Sequence, residues 1–169
     1  MLNHIKQDLK NYQGDWAAQG FWVMLVYRFG RWRYTINNVL LRKICSFIYK
    51  FLYKLVQILT GIEMPCEVEV GDNFLIDHFG GIVISGYAKF GDNCRIRNGV
   101  VVGLKNVSEP CAPQIGNNVD IGAGAKILGN IKIGNNVNIG ANSVVLTDVP
   151  DNAIAVGVPA IIKMKKNKS

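Results

Sequence analysis

From Val70 onward the chain repeats itself every six residues, and this period restricts its fold more than any other feature. The clearest units are IGNNVD from Ile115, IGAGAK from Ile121, ILGNIK from Ile127, IGNNVN from Ile133 and IGANSV from Ile139, with VLTDVP following from Val145. An earlier run holds ISGYAK from Ile84, FGDNCR from Phe90 and IRNGVV from Ile96. Before it stand VGDNFL from Val70 and IDHFGG from Ile76, with a two-residue slip at Ile82 and Val83. A six-residue unit is too short for a helix with a core of its own. It suits one short strand and a corner, so that three units close a triangular coil and coils stack through parallel strand hydrogen bonds. The first and fifth residues of each unit then point inward, and Gly, Asn and Asp at the corners tolerate positive φ. Cys94 falls on a fifth position, which makes it core filler.

The repeat is interrupted once. Val102 to Ile115 spans thirteen residues where six would keep register, so a loop within 103–114, GLKNVSEPCAPQ, must leave the coil. Loops projecting from rigid scaffolds are where function concentrates. The organisation expected is a short helical segment over 1–62, a β-helix over 63–162 carrying that loop, and a basic tail over 163–169. Residues 38–60, NVLLRKICSFIYKFLYKLVQILT, read as a helix with Lys43, Lys50 and Lys54 on one wet side and a wide apolar side. That apolar side packs on the β-helix or a partner subunit, or else lies in a membrane interface.

Charge is uneven. Residues 1–62 carry nine Lys/Arg against Asp8 and Asp15, which accounts for the whole formal net charge of +7. This excess reads as a solvated helical face, with anionic lipid or polysaccharide as the other candidate partner. The aromatics around YRFGRWRY (27–34) read as packing, and with no RNA- or DNA-binding motif beside them no nucleic-acid partner is expected. The start is polar with no signal peptide, and no run of roughly 18 uncharged apolar residues exists. Cys45, Cys66, Cys94 and Cys111 form no C-x-x-C pair and read as free thiols, so the expected setting is cytoplasmic.

With LIDHFGGIVI (75–84), DIGAGAKILGNIKIG (120–134), IGANSVVLTDVP (139–150) and AVGVPA (155–160), the chain resembles the hexapeptide-repeat acyltransferases. It looks most like the serine acetyltransferases and their relatives in polysaccharide gene clusters. The resemblance implies a left-handed parallel β-helix, homotrimers with sites between subunits, acetyl-CoA as co-substrate and no metal. It implies that His78, in the Asp77-His78 pair, is the catalytic histidine. Glu63, fifteen residues upstream, matches the carboxylate that orients it, and Asp77 matches an acid that holds the acceptor's amino group. The family's CoA groove maps onto Gly103, Ala123, Gly124 and Ala141. One departure bears on the acceptor: the Arg-His pair that engages the carboxylate of serine is Cys111-Ala112 here.

The chemistry expected is acetyl transfer from a thioester to a hydroxyl, with His78 as general base in a ternary complex. Asp77 or Glu63 would fix the imidazole tautomer, and backbone N–H groups near the loop would stabilise the oxyanion. No Ser or Cys nucleophile stands in a recognisable setting, which favours direct attack. Serine is the leading acceptor. A sugar hydroxyl in capsule or exopolysaccharide assembly is the alternative, and a non-catalytic β-helix scaffold is a third reading. A γ-type carbonic anhydrase would need three histidine ligands, and the chain has only His4 and His78.

Overall fold

The computed structural model describes residues 1–106, 108 and 110–165. Three helices come first: α1 (Leu2–Asn11), α2 (Gln19–Trp32) and α3 (Val39–Thr60), with a 3-10 turn at Arg33–Thr35. The strands are β1 (Ile62–Glu63), β2 (Glu69–Val70), β3 (Leu75–Ile76), β4 (Ile82–Ile84), β5 (Lys89–Phe90), β6 (Arg95–Ile96) and β7 (Val101–Gly103). After the inserted loop come β8 (Gln114–Ile115), β9 (Asp120–Ile121), β10 (Lys126–Leu128), β11 (Lys132–Ile133), β12 (Asn138–Ile139), β13 (Val144–Val145), β14 (Ala153–Val156) and β15 (Ile161–Met164).

Strands three apart pair, except that β12 pairs β14, which makes three faces of a prism. The orders are β1-β4-β7-β10-β13, then β2-β5-β8-β11, then β3-β6-β9-β12-β14, with β15 added antiparallel to β14 at the end. All the other pairings are parallel, such as Lys126 with Val101 and Ile127 with Val102. The solenoid expected from the six-residue period is therefore present. β15 runs across the expected boundary between coil and tail at 162/163. Residues 166–169 of the basic tail, and Val107 and Glu109 of the inserted loop, lie outside the described residues.

The repeat positions do what their chemistry requires. Leading residues Ile76, Ile84, Ile96, Ile121 and Ile127 are at most 1% exposed. So are fifth-position residues Phe74, Cys94, Val100, Ala125 and Val137. Each fully buried aliphatic side chain contributes about 1.5–3 kcal/mol from desolvation. One corner is turned by Asn73, Asn93, Asn118, Asn136 and Asn152, all in the left-handed region with φ between 55 and 57°. Each of the first four donates its side-chain amide to the Oδ1 of the next at 2.9–3.1 Å, a ladder running the length of the prism.

The helices cap the first coils. Asn38 caps α3 by accepting from the Leu41 N–H at 3.0 Å, and Gly61 ends it with φ 65°. The Tyr27 hydroxyl donates to the Val68 carbonyl at 2.9 Å, and the Tyr49 hydroxyl accepts from the Cys66 N–H at 2.9 Å. Gly30 permits close approach, since a Cβ there would stand 2.5 Å from the Tyr49 ring. Two basic residues leave the solvated face expected of this segment. Arg28 forms a two-pronged pair with buried Asp8, tying α2 to α1. Arg33 is buried, with its guanidinium 4.5 Å from the Tyr49 ring centroid.

Ile121→Ala should cost about 3 kcal/mol in denaturant unfolding, because the stacked coils cannot collapse onto the cavity. Asn118→Gly should cost far less than Asn118→Val, since the corner conformation is open to glycine and closed to a β-branched residue.

Candidate active site

His78 sits on the corner that leads from β3 to β4, where the two-residue slip occurs. Gly80 and Gly81, with φ 100° and 65°, let the backbone make this longer turn. His78 and Phe79 are exposed on it. The same corner continues along the prism as Gly81, Gly99, Gly124 and Asn142, all with positive φ. A Cβ on Gly99 would lie 3.3 Å from the Gly124 Cα, and one on Gly124 would lie 2.1 Å from Asn142 Oδ1. The result is an edge turned by small residues, with Asn142 set over Gly124 and the Lys126 ammonium donating to the Gly99 carbonyl.

Three of the four candidate groove residues lie on this edge. The Asn142 N–H donates to the Ala123 carbonyl at 2.8 Å, and the Gly124 N–H donates to the Asn98 carbonyl at 2.8 Å. These bonds stack Ala123 and Gly124 against Ala141-Asn142 on the next coil. Gly103 is placed elsewhere. It ends β7 opposite Leu128, at the far edge of that face where the inserted loop departs.

The candidate acids differ in setting. Glu63 is exposed on β1, with its Oε2 accepting from Gln57 Nε2 at 3.2 Å rather than from His78. Asp77 is mostly buried and is held by two arginines. Arg95 Nε donates to its Oδ2, and Arg97 Nε lies 3.6 Å from the same oxygen. Arg97 also donates to both carboxylate oxygens of Asp120 and to the Ile121 carbonyl. The hydrogen bond that Arg95 donates to Asp77 pushes the Arg95 pKa upward. This four-residue network escaped the sequence reading. Its signal is the alternation Arg95-Ile96-Arg97, in which Ile96 points inward and both arginines point out.

Beside the network lies a small polar pocket of about 210 Å³, lined by Asn11, Tyr12, Gln13, Leu75, Asp77 and Arg95. The helical segment supplies half of it. The Tyr12 hydroxyl accepts from the Ile76 N–H at 3.1 Å and donates to its carbonyl, which fixes the α1 end against β3. Burial pushes the Tyr12 pKa well up, so it stays a neutral phenol. Among the described residues, no group of three metal-ligating side chains exists.

Comparison with known proteins agrees with this geometry. The family profile "Bacterial transferase hexapeptide (six repeats)" matches residues 112–147. A putative colanic acid biosynthesis acetyltransferase of Escherichia coli is 35% identical over 157 residues, covering 90% of this chain and 95% of that protein. The chain belongs to the hexapeptide-repeat acyltransferases. A serine acetyltransferase of Synechococcus elongatus is 41% identical over 141 residues, covering 83% of this chain. The chain spans only 55% of that relative's length. The crystal structure of a Brucella abortus serine acetyltransferase in complex with coenzyme A superposes with a TM-score of 0.82 at 29% identity. It covers 98% of this chain and 68% of that one. Such a superposition is sensitive to hand, so the coils wind as they do in the serine-acetyltransferase-like branch of these acyltransferases, as a left-handed β-helix.

The thiols of this acyltransferase divide sharply. Cys45, Cys66 and Cys94 are buried, whereas Cys111 in the inserted loop is exposed. Burial pushes the Cys94 pKa up to about 11, so below that pH it stays an unreactive thiol. Titration of native protein with a disulfide reagent at pH 8 should show one fast thiol, and denaturation should release all four. Two or more fast thiols in native protein would mean that the coil core is open.

Proposed function

We propose that the chain is an acetyl-CoA-dependent O-acetyltransferase built on the serine acetyltransferase plan, with His78 as general base. The observation that carries this reading is the position of His78. It is exposed at one end of an edge whose other coils present Gly99, Ala123, Gly124 and Ala141. A thioester laid along that edge meets small residues, and its acetyl end can reach the histidine. The imidazole takes the proton of the acceptor hydroxyl as the oxygen attacks the thioester carbonyl carbon. Backbone N–H groups near the inserted loop stabilise the developing oxyanion. The carbon–sulfur bond then breaks, and the imidazolium returns the proton to the CoA thiolate. In this reading the functional unit is a trimer with sites between subunits.

The acceptor reading favoured here is a sugar hydroxyl, ahead of serine, and the observation behind it is the pairing of Asp77. An amino-acid acceptor needs a free carboxylate for its ammonium group, and Asp77 is already shared by Arg95 and Arg97. Two cations and two anions leave the cluster electrically balanced, and the side-chain amides of Asn11 and Gln13 line the adjoining pocket. Such a set pairs with vicinal hydroxyls, each of which both donates and accepts. The colanic acid relative accords with this acceptor class.

His78→Ala should lower kcat roughly a hundred- to ten-thousand-fold, with acetyl-CoA affinity by calorimetry unchanged. Varying both substrates in wild type should give intersecting double-reciprocal lines. Parallel lines with an acetylated protein intermediate would contradict direct transfer. Replacing Arg95 and Arg97 together with leucine should raise kcat/KM for L-serine relative to a sugar acceptor, because it frees Asp77. A fall for both acceptors alike would remove the arginines from acceptor choice.

A further inference from the structure

The strongest feature the acetyl-transfer reading leaves unused is the outer face of α3. Leu40, Ile44, Phe47, Phe51, Leu55 and Ile58 follow one another at three- and four-residue steps and all point to solvent. Phe47 is 76% exposed and Ile58 73%. At the helical repeat, the exposed apolar side chains cover about 120° of arc. The arc facing the protein is a different one and is occupied by Cys45, Tyr49, Leu52, Val56 and Thr60, which are buried or half-buried. A continuous apolar face on this scale requires a covering partner.

Charge identifies the partner. Residues 16–62 contain no Asp or Glu and seven Arg/Lys. Lys43, Lys50 and Lys54 form a row along one edge of the apolar arc, and all three are exposed. None of them, nor Arg42, takes part in an ion pair among the described residues. At this edge a surface pocket of about 480 Å³ is lined by Tyr34, Arg42, Lys43, Ser46, Phe47 and Lys50. It gathers three cations beside the ring of Phe47, an arrangement that matches a phosphate group attached to a hydrocarbon chain. On the opposite edge, Leu52 continues the apolar surface into a groove of about 290 Å³ shared with Ile5, Leu25 and Phe29. Antiparallel pairing of α3 with its copy in a second subunit would set lysine rows against each other.

We propose that α3 is a membrane-docking helix. It lies in the interfacial plane of a bilayer containing anionic phospholipid, with its phenylalanines among the acyl chains and its lysine row at the phosphates. The body of the protein then sits above the surface, since its contacts with α3 occupy the arc turned away from the apolar one. No helix among the described residues is long and apolar enough to cross a membrane, which is consistent with a helix lying flat. This docking stands independently of the acetyl-transfer reading. Its consequence for that reading is a site held close to acceptors that are themselves anchored in lipid.

The test is flotation of the full-length protein with vesicles of phosphatidylcholine and phosphatidylglycerol at about two to one, and with phosphatidylcholine alone. Wild type should float with the mixed vesicles and be released by high salt. Lys43, Lys50 and Lys54 changed together to Gln should lower the partition coefficient about a hundredfold, at roughly fivefold per lysine. Phe47→Ser with Phe51→Ser should abolish flotation with an unchanged circular dichroism spectrum, because both side chains are already in solvent. Wild type remaining at the bottom of the gradient would overturn the proposal. So would a wild-type assembly, measured by light scattering, that the two serine substitutions dissociate, since a second copy of the chain would then cover the face.

Discussion

Every part of this molecule depends on stacking one coil directly on the next through parallel strands two or three residues long. Strands that short gain little from their own hydrogen bonds. They hold because each contributes one large aliphatic residue to a shared axis and because the corners between them can be turned without strain. Asn73, Asn93, Asn118, Asn136 and Asn152 meet the second condition twice over. Each accepts a left-handed backbone, and their side-chain amides tie neighbouring coils together. The opposite solution, a corner of glycines, is used at Gly81, Gly99 and Gly124. This difference creates the functional edge. Where asparagine turns the chain the corner is filled by amides, and where glycine turns it the turning residue adds no side chain.

The helical segment has two jobs in this architecture. It closes the open end of the coil stack, where Tyr12, Tyr27 and Tyr49 each bond to backbone groups of the first coils. It also shapes the surroundings of Asp77 through Asn11, Tyr12 and Gln13. The basic charge concentrated there is partly internal. Arg28 neutralises buried Asp8 and Arg33 lies under aromatic rings, whereas the lysines of α3 form no ion pair among the described residues.

Much of this was legible in the sequence, and the exceptions have physical reasons. The six-residue period fixes which residues point inward, so the burial of Cys94 and Phe74 followed from counting. Asn38 and Gly61 bracket α3 because one side chain can cap an N–H and the other residue can adopt positive φ. The placement of Gly103 away from Ala123 and Ala141 was harder to foresee. Periodicity gives each residue's rank within its own coil, but the edge it reaches depends on where the slip and the loop interrupt the count. The Arg95–Asp77–Arg97–Asp120 network was hidden for the same reason. It joins residues 18 to 23 positions apart that become neighbours only when coils stack.

The most direct measurement is CoA-thiol release by the purified full-length protein, given acetyl-CoA with L-serine and, in parallel, with hexoses and nucleotide sugars. A balanced Asp77 cluster beside His78 predicts acetyl-CoA-dependent thiol release with a sugar and little or none with serine. Vigorous turnover of serine would show that the arginines yield Asp77 to an ammonium group and would contradict that reading of the acceptor pocket. No release with any acceptor, together with no binding of acetyl-CoA, would contradict acetyl transfer itself and leave the coil stack as a scaffold.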